Sequence, residues 1–279
     1  MIKLTTDSTC DLNEEILRKY DIDVMPVHIV IDENVYNDNV DIYPRDVFRF
    51  VEEENKTCRT AAINVYEYHQ FFEPLAKKHE TVIHVALGSG FSSCFQNASL
   101  AARGFDNVHV IDSANLSTGS GLLVYNLAKL IKDDVCQDVI LMTAENLLKK
   151  INGSFVIDTL DYLYKGGRCS GLEMVGTKML KIKPTIEVFN GKMRVAGKCR
   201  GSFERCVKNY IADRLKNIDD IDQKTIFITN AESSDELVEY VTNQIKKDYN
   251  FEEVVLCKAG CTISAHCGPT TLGIFFLEK

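Results

Sequence analysis

Positive charge is scarce in this chain. Its 279 residues carry 32 lysines and arginines against 40 aspartates and glutamates, a net charge of −8. That balance argues against a broad nucleic-acid-binding face, which needs a basic surface to neutralise phosphates, and no nucleic-acid partner is expected. No apolar run approaches the roughly 20 residues of a membrane-spanning helix. Residues 1–7 lead directly into a short apolar strand with no leader-like hydrophobic segment, so a cytoplasmic protein that does not span a membrane is expected. Neither GxxxxGK[ST] nor GxGxxG occurs, which removes the common nucleotide-phosphate loops. No Pro/Ser-rich linker, low-complexity segment or internal repeat interrupts the chain.

Ten cysteines are present, at 10, 58, 94, 136, 169, 199, 206, 257, 261 and 267. In a reducing compartment they are expected to be mostly free thiols serving as small core hydrophobes. Cys257, Cys261, His266 and Cys267 invite a zinc reading. The spacing C-x3-C-x4-H-C is not a regular paired-ligand pattern, however, and Cys257 falls in the apolar segment 253–258. No metal and no cofactor are expected.

The most informative stretch is 82–103. Residues 82–87 read as a strand, Gly88-Ser89-Gly90-Phe91-Ser92-Ser93 as a turn, and 94–103 as a helix. A Gly/Ser turn from a strand into a helix is where α/β proteins hold anions, because free N–H groups and the helix dipole point at the ligand. With hydroxyls but no lysine, this cradle suits one small oxyanion, such as a carboxylate, better than a triphosphate.

The first half of the chain alternates strands (2–5, 24–31, 82–87, 108–112) with helices (13–20, 44–54, 65–79, 94–103, 120–132, 138–151). That pattern predicts a parallel sheet flanked by helices. The first helix has Asp11 or Asn13 as its N-cap. In the second half, 185–189 and 192–196 flank Asn190-Gly191, a hairpin signal. Helices at 202–216 and 234–249 and strands at 225–229, 253–258 and 271–277 complete an α+β unit with a mostly antiparallel sheet. Two domains are expected, 1–153 and 154–279, with a ligand between them.

Three further segments carry polar groups in small-residue surroundings. They are Cys58-Arg59-Thr60-Ala61-Ala62, the Ser113 and Ser117–Gly121 region, and Ser264 to Gly273 around His266, which reads as a Gly/Pro turn at the surface. A hydrolase with Ser89 or Ser92 as nucleophile and His266 as base is one reading. The elbow pattern G-x-S-x-G is absent around both serines, so the hydroxyls read as ligand donors.

Five segments in order resemble the DegV family of fatty-acid-binding proteins, which includes the binding subunits of bacterial fatty acid kinase. Asp7-Ser8-Thr9-Cys10-Asp11-Leu12 is similar to the family's opening signature. Arg59-Thr60 matches a basic residue and threonine that precede Ser-Gln-Pro. Ser89 to Gln96 resembles an SGLSGTYQ loop. Residues 157–168, ending Lys165-Gly166-Gly167-Arg168, match the middle signature, and His266 to Gly273 resembles HxGPGTLG. The departures are Ala61-Ala62-Ile63 for Ser-Gln-Pro, Ser93-Cys94 for Gly-Thr and Thr270 for glycine.

The resemblance implies a two-domain α/β protein with a long-chain fatty acid between the domains and its carboxylate on Thr60, Ser92 and His266. Ser89, Ser93 and Gly268 are additional candidate loop contacts, and Phe91 and Phe95 are candidates for the tail pocket or the core. It also implies a separate ATP-dependent fatty acid kinase as partner and a place in phospholipid metabolism. Arg168 and Arg200 are then candidates for meeting the acyl phosphate or the partner. The chain itself is expected to be a non-catalytic carrier. A serine hydrolase using Ser92 and His266, or a regulatory protein sensing lipid through the same pocket, are the alternatives.

Overall fold

Strand Ile2–Asp7 lies inside a four-stranded parallel sheet in the order Asp23–Met25, Ile2–Asp7, Thr81–Ala86, Val108–Asp112. The computed structural model describes residues 1–168 and 182–279, so Cys169 lies outside the described residues. Thr81–Ala86 is buried along its whole length, as a mostly apolar strand in a parallel sheet covered on both faces should be, and its one ring, His84, is partnered by Thr5 at 2.9 Å. Its side chains alternate between two cores. Val82 packs with Tyr68, Phe72 and Ala98 of helices Val65–Lys78 and Cys94–Ala102. Ile83 and Val85 face Leu122, Leu123 and Leu127 of helix Thr118–Lys132 and Ile140 of helix Gln137–Leu148.

The second sheet has six strands in the order Lys192–Arg200, Ile182–Phe189, Ile151–Val156, Thr271–Glu278, Ile221–Ala231, Glu253–Lys258. Every pair is antiparallel except the last, Ile221–Ala231 with Glu253–Lys258. The expected α/β class, with one parallel and one mostly antiparallel sheet, is what the chain adopts. The Asn190-Gly191 turn has φ of 49° and 70°, the left-handed pair that a type I′ hairpin needs. One face of this sheet is covered by helices Phe203–Arg214 and Asp235–Asp248, through Phe203, Val207, Ile211, Val241 and Ile245. The other face meets helix Thr118–Lys132, whose Leu122 and Tyr125 share a core with Phe227, Phe275 and Leu277.

That helix is therefore held between the two sheets, and its small-residue start is a packing device. A Cβ on Gly119 would lie 2.0 Å from Asn115 Oδ1, and one on Gly121 would lie 2.4 Å from the Cys10 carbonyl oxygen. The Ser117–Gly121 segment thus lets the helix start pack directly on the Asn115 side chain and the Cys10 carbonyl.

Several elements differ from the sequence expectation. Residues 24–31 do not form one strand. Pro26, which has no N–H to donate, separates Asp23–Met25 in the parallel sheet from His28–Ile31 in a third, three-stranded antiparallel sheet. That small sheet pairs His28–Ile31 with Asn34–Asn37 on one side and Cys58–Ala61 on the other, so the Thr60 segment is an edge strand. The 44–54 helix is α-helical over Pro44–Phe48 and widens to a π-turn over Arg49–Glu53. Helix Gln137–Leu148 ends before residue 151, where strand Ile151–Val156 begins. Asn13 is the cap of the first helix, accepting from the Ile16 amide at 3.0 Å. Cys199 and Cys206 form a disulfide with Cα atoms 5.5 Å apart, an exception to the expectation of reduced thiols. Strand Lys192–Arg200 and helix Phe203–Arg214 bring the pair within the required separation. Cys10, Cys94, Cys257, Cys261 and Cys267 are buried free thiols.

Candidate functional site

A cavity opens between the two large sheets and the small one, about 850 Å³ when the open solvent at its mouth is counted. Leu87, Leu116, Phe155, Met193, Ile263 and Phe275 give it a long apolar wall. Thr60, Ser92, Arg168 and His266 also line it and are half-buried. Thr60 comes from the edge strand Cys58–Ala61, and Ser92 from the turn after Thr81–Ala86. His266 comes from a short helix, Cys261–Cys267. The sequence places His266 in a surface turn; instead it sits on this helix with its ring facing the cavity, because Gly260, Gly268 and Pro269 bound a helix and do not replace it.

Thr60 Oγ1 and His266 Nε2 are hydrogen-bonded at 2.9 Å. The other ring nitrogen, Nδ1, is buried and has no hydrogen-bond partner. Gly166 packs against it: a Cβ at 166 would lie 2.1 Å from Nδ1. The glycine of the Lys165-Gly166-Gly167-Arg168 turn is thus required for close approach. Arg168 Nη1 donates to the Gly166 carbonyl at 2.8 Å, which keeps the guanidinium beside this turn. Burial pushes the His266 imidazole down to about 4, and the Arg168 charge adds to the effect. A neutral imidazole and hydroxyls at the mouth of an apolar cavity can share hydrogen bonds with a desolvated carboxylate, which otherwise is costly to bury.

The helix bearing His266 is anchored from its far end by two buried carboxylates. Asp38 accepts from the Cys261 amide at 2.7 Å and the Thr262 amide at 3.2 Å, and from Ser8 Oγ at 3.0 Å. Asp11 accepts from the Gly260 amide at 2.9 Å and Ser117 Oγ at 2.5 Å. Burial pushes the Asp11 carboxyl well above its ordinary range, against the pull of those two donors. A third carboxylate, Asp7, supports the Gly/Ser turn. It accepts from the Leu87 amide at 2.8 Å and Tyr68 OH at 2.6 Å, and lies 3.2 Å from His84 Nε2. The opening motif Asp7–Leu12 therefore works at a distance, holding the segments that present Ser92 and His266. No sequence signal gave Asp7, Asp11 or Asp38 these roles, since their partners are up to 249 residues away.

The remaining candidates divide. Phe91, Ala61 and Ala62 line the cavity, so the alanines that depart from the family pattern make its mouth more apolar. Phe95 is half-buried and lies outside the lining. Ser89 and Ser93 are exposed, and the Ser89 amide is taken by Asp112 Oδ1 at 3.0 Å. The amide of Cys94 is taken by Ser92 Oγ at 3.2 Å. The Gly/Ser turn is thus less rich in free amides than its composition suggests. Gly268, at φ 77°, is packed on the Tyr162 ring, where a Cβ would come within 2.6 Å, and Thr270 takes a left-handed φ of 62°. Arg168 is at the cavity, whereas Arg200 is exposed and outside its lining.

Hydrolase geometry is not formed. Ser92 Oγ donates to Cys94 Sγ at 3.2 Å, while His266 Nε2 is engaged with Thr60 and its Nδ1 has no carboxylate partner. A triad needs a nucleophile–base bond and a group orienting the base.

The whole chain, residues 1–279, matches the family described as "Uncharacterised protein, DegV family". The chain belongs to the DegV family. This DegV chain is 31% identical over 281 residues to a DegV domain-containing protein of Caldanaerobacter subterraneus subsp. tengcongensis, covering 100% of this chain and 99% of that one. Among solved structures it is similar to a Thermus thermophilus DegV family protein described for its fatty acid binding, at a TM-score of 0.92 and 23% identity. That match covers 100% of this chain and 99% of the other. It is also similar to DegV of Bacillus subtilis, a fatty acid binding protein, at a TM-score of 0.87 and 25% identity, with 100% and 99% covered.

Proposed function

We propose that this DegV chain binds a long-chain fatty acid, its carboxylate at Thr60, Ser92 and His266 and its alkyl chain along the apolar wall between the sheets. The observation that carries this reading is the 2.9 Å hydrogen bond between Thr60 and His266 at the mouth of that cavity. With Nε2 protonated, the imidazole donates to Thr60 Oγ1, leaving the threonine hydroxyl proton free for the carboxylate. Ser92 Oγ supplies a second hydroxyl. Each buried CH₂ of the tail contributes about 0.8 kcal/mol. The fatty acid binding described for the Thermus thermophilus and Bacillus subtilis proteins supports the same reading.

The chain holds its ligand and does not transform it; a separate ATP-dependent kinase acts on the presented carboxylate. Supporting this is the gradient of exposure, since Thr60, Ser92, Arg168 and His266 are half-buried while Phe155 and Phe275 are buried. A partner protein reaches the head group and not the tail. Arg168, at the cavity mouth, is suited to meet the added phosphate.

Mass spectrometry of lipid extracted from freshly purified, denatured protein tests the binding. Near-stoichiometric fatty acid is expected. An empty extract, repeated after incubation with a fatty-acid mixture, overturns the reading.

A further inference from the structure

Strand Val108–Asp112 is an outer strand of the parallel sheet, bonded on one side only, to Thr81–Ala86. The Val82 amide donates to the Asn107 carbonyl, and the Ser113 amide donates to the Ala86 carbonyl. Alternate residues of a strand bond to the same neighbour, so Asn107, His109, Ile111 and Ser113 face Thr81–Ala86. The amides and carbonyls of Val108, Val110 and Asp112 point outward and have no backbone partner among the described residues. A groove runs along this edge, walled by Ser99, Ala102 and Arg103 on one face of the sheet and by Leu141, Glu145 and Leu148 on the other. It shares no lining residue with the cavity that holds Thr60, Ser92 and His266.

An outer strand pairs with another chain unless charge, brevity or cover blunts it. The other outer strands of the two large sheets are blunted. Asp23–Met25 is short, Lys192–Arg200 carries Lys192, Arg194, Lys198 and Arg200, and Glu253–Lys258 has a charge at each end. Val108–Asp112 carries no lysine, arginine or glutamate. Its flanking helices also present apolar side chains to water, Leu100 at 47% and Met142 at 57% exposure.

The charges around the groove are ordered end to end. Arg103, exposed, follows directly on helix Cys94–Ala102 and stands a short turn before Val108, at the start of the strand. Asp112 is at its end, with Oδ1 accepting from the Ser89 and Ala114 amides and Oδ2 left over. On the other face, Gln137 Nε2 lies 3.1 Å from His109 Nε2, which sets the first turn of helix Gln137–Leu148 at the strand's start. Glu145, also exposed, is about two turns further on, toward Asp112.

We propose that this edge docks a second copy of the chain, with the two Val108–Asp112 strands antiparallel and the two parallel sheets joined into one. With the two-fold axis at Val110, Val108 of each copy exchanges hydrogen bonds with Asp112 of the other, and every outward amide and carbonyl is paired. That axis is perpendicular to the sheet, so each face of one copy continues into the same face of the other. Arg103 of one copy then meets Asp112 of the other, Glu145 meets His109, and the helices bearing Leu100 and Met142 approach their symmetry mates. This complementarity of opposite ends favours a copy of the chain over an unrelated strand.

The test is sedimentation equilibrium of the full chain over a range of concentrations. It is run on wild type, on Arg103→Glu, and on Leu100→Glu combined with Met142→Glu, all exposed positions whose folding circular dichroism checks. Wild type is expected to reach twice the mass of one chain. Each variant is expected to raise the dissociation constant by roughly tenfold or more, because like charges then face each other across the axis. Amide hydrogen exchange locates the contact: Val108, Val110 and Asp112 are expected to be protected in wild type and to exchange faster in both variants. A wild type with the mass of one chain at every concentration overturns the proposal and leaves the edge to a strand of another protein. A dimer that both variants leave intact, or one whose Val110 amide exchanges as fast as in the variants, also overturns it, because the contact is then elsewhere.

Discussion

Thr60 and His266 meet at 2.9 Å although 206 residues of chain separate them. The contact joins the edge of the small sheet to the helix Cys261–Cys267, so the proposed head-group site draws on segments far apart in the sequence. Each donor to a charged carboxylate contributes about 1.5–3 kcal/mol. Thr60→Val and Ser92→Ala are each expected to weaken fatty acid binding by an amount in that range, read by calorimetry or displacement of a fluorescent fatty acid. Arg200→Ala should leave the affinity unchanged, because Arg200 is outside the cavity lining. Full affinity in both hydroxyl variants would move the head group elsewhere.

Gly166 leaves no room for a side chain beside the His266 ring. We expect Gly166→Ala to push the imidazole off Thr60 and to destabilise the fold by about 1–3 kcal/mol through overpacking. Histidine ring NMR, together with a binding titration, checks this. An unshifted ring signal with unchanged affinity would show that the turn yields instead.

Stability should depend on pH through His266. Its folded pKa of about 4 lies below its ordinary 6.5, so between those values the unfolded chain binds more protons and stability falls as pH drops. The contribution is complete above about pH 6.5 and its loss approaches roughly 3 kcal/mol near pH 4. Asp11, raised by burial, acts in the opposite sense, losing stability as pH rises. Comparing urea midpoints of wild type and His266→Gln at pH 7 and pH 5 isolates the histidine. The wild type is expected to lose more on acidification than the variant, and less once loaded with fatty acid, whose carboxylate favours the imidazolium. Parallel profiles would count against the assignment.

Asp38 holds two amides and a hydroxyl that are all buried. Asp38→Ala leaves those donors unsatisfied, at about 1–3 kcal/mol for each buried group. We expect a lower unfolding midpoint and, because the helix carrying His266 loses its anchor, weaker ligand binding as well. Asp38→Asn, which keeps one acceptor oxygen, should lose less in both assays. A variant as stable as wild type would assign the helix's position to packing alone.

The parallel sheet is legible from sequence because 82–87 and 108–111 are near-continuous apolar runs between helical periodicities. The hairpin is legible because Asn190-Gly191 dictates its turn. Thr60, Ser92 and His266 are identifiable as a group only through the family resemblance, and the cavity does bring them together. What stayed hidden depends on contacts distant in sequence. Helix Cys261–Cys267 reads as a turn because its start is fixed by Asp11 and Asp38 and not by a local cap. Strand Ile151–Val156 is obscured by Asn152, Gly153 and Ser154, poor strand formers. Gly153 is there because a Cβ would lie 2.8 Å from the Phe275 ring.

Helix Thr118–Lys132 is buried on nearly every side, with Leu122, Leu123 and Leu127 wholly covered. Parting the two sheets to admit a ligand would uncover the side of this helix, at Leu122 and Tyr125, that packs on Phe227, Phe275 and Leu277 of the second sheet. Uncovering those two side chains costs about 3–6 kcal/mol, a large share of the stability of a typical fold. A fatty acid bound as proposed would enter by local yielding at the rim where Thr60, Ser92 and Arg168 stand, tail leading and carboxylate last.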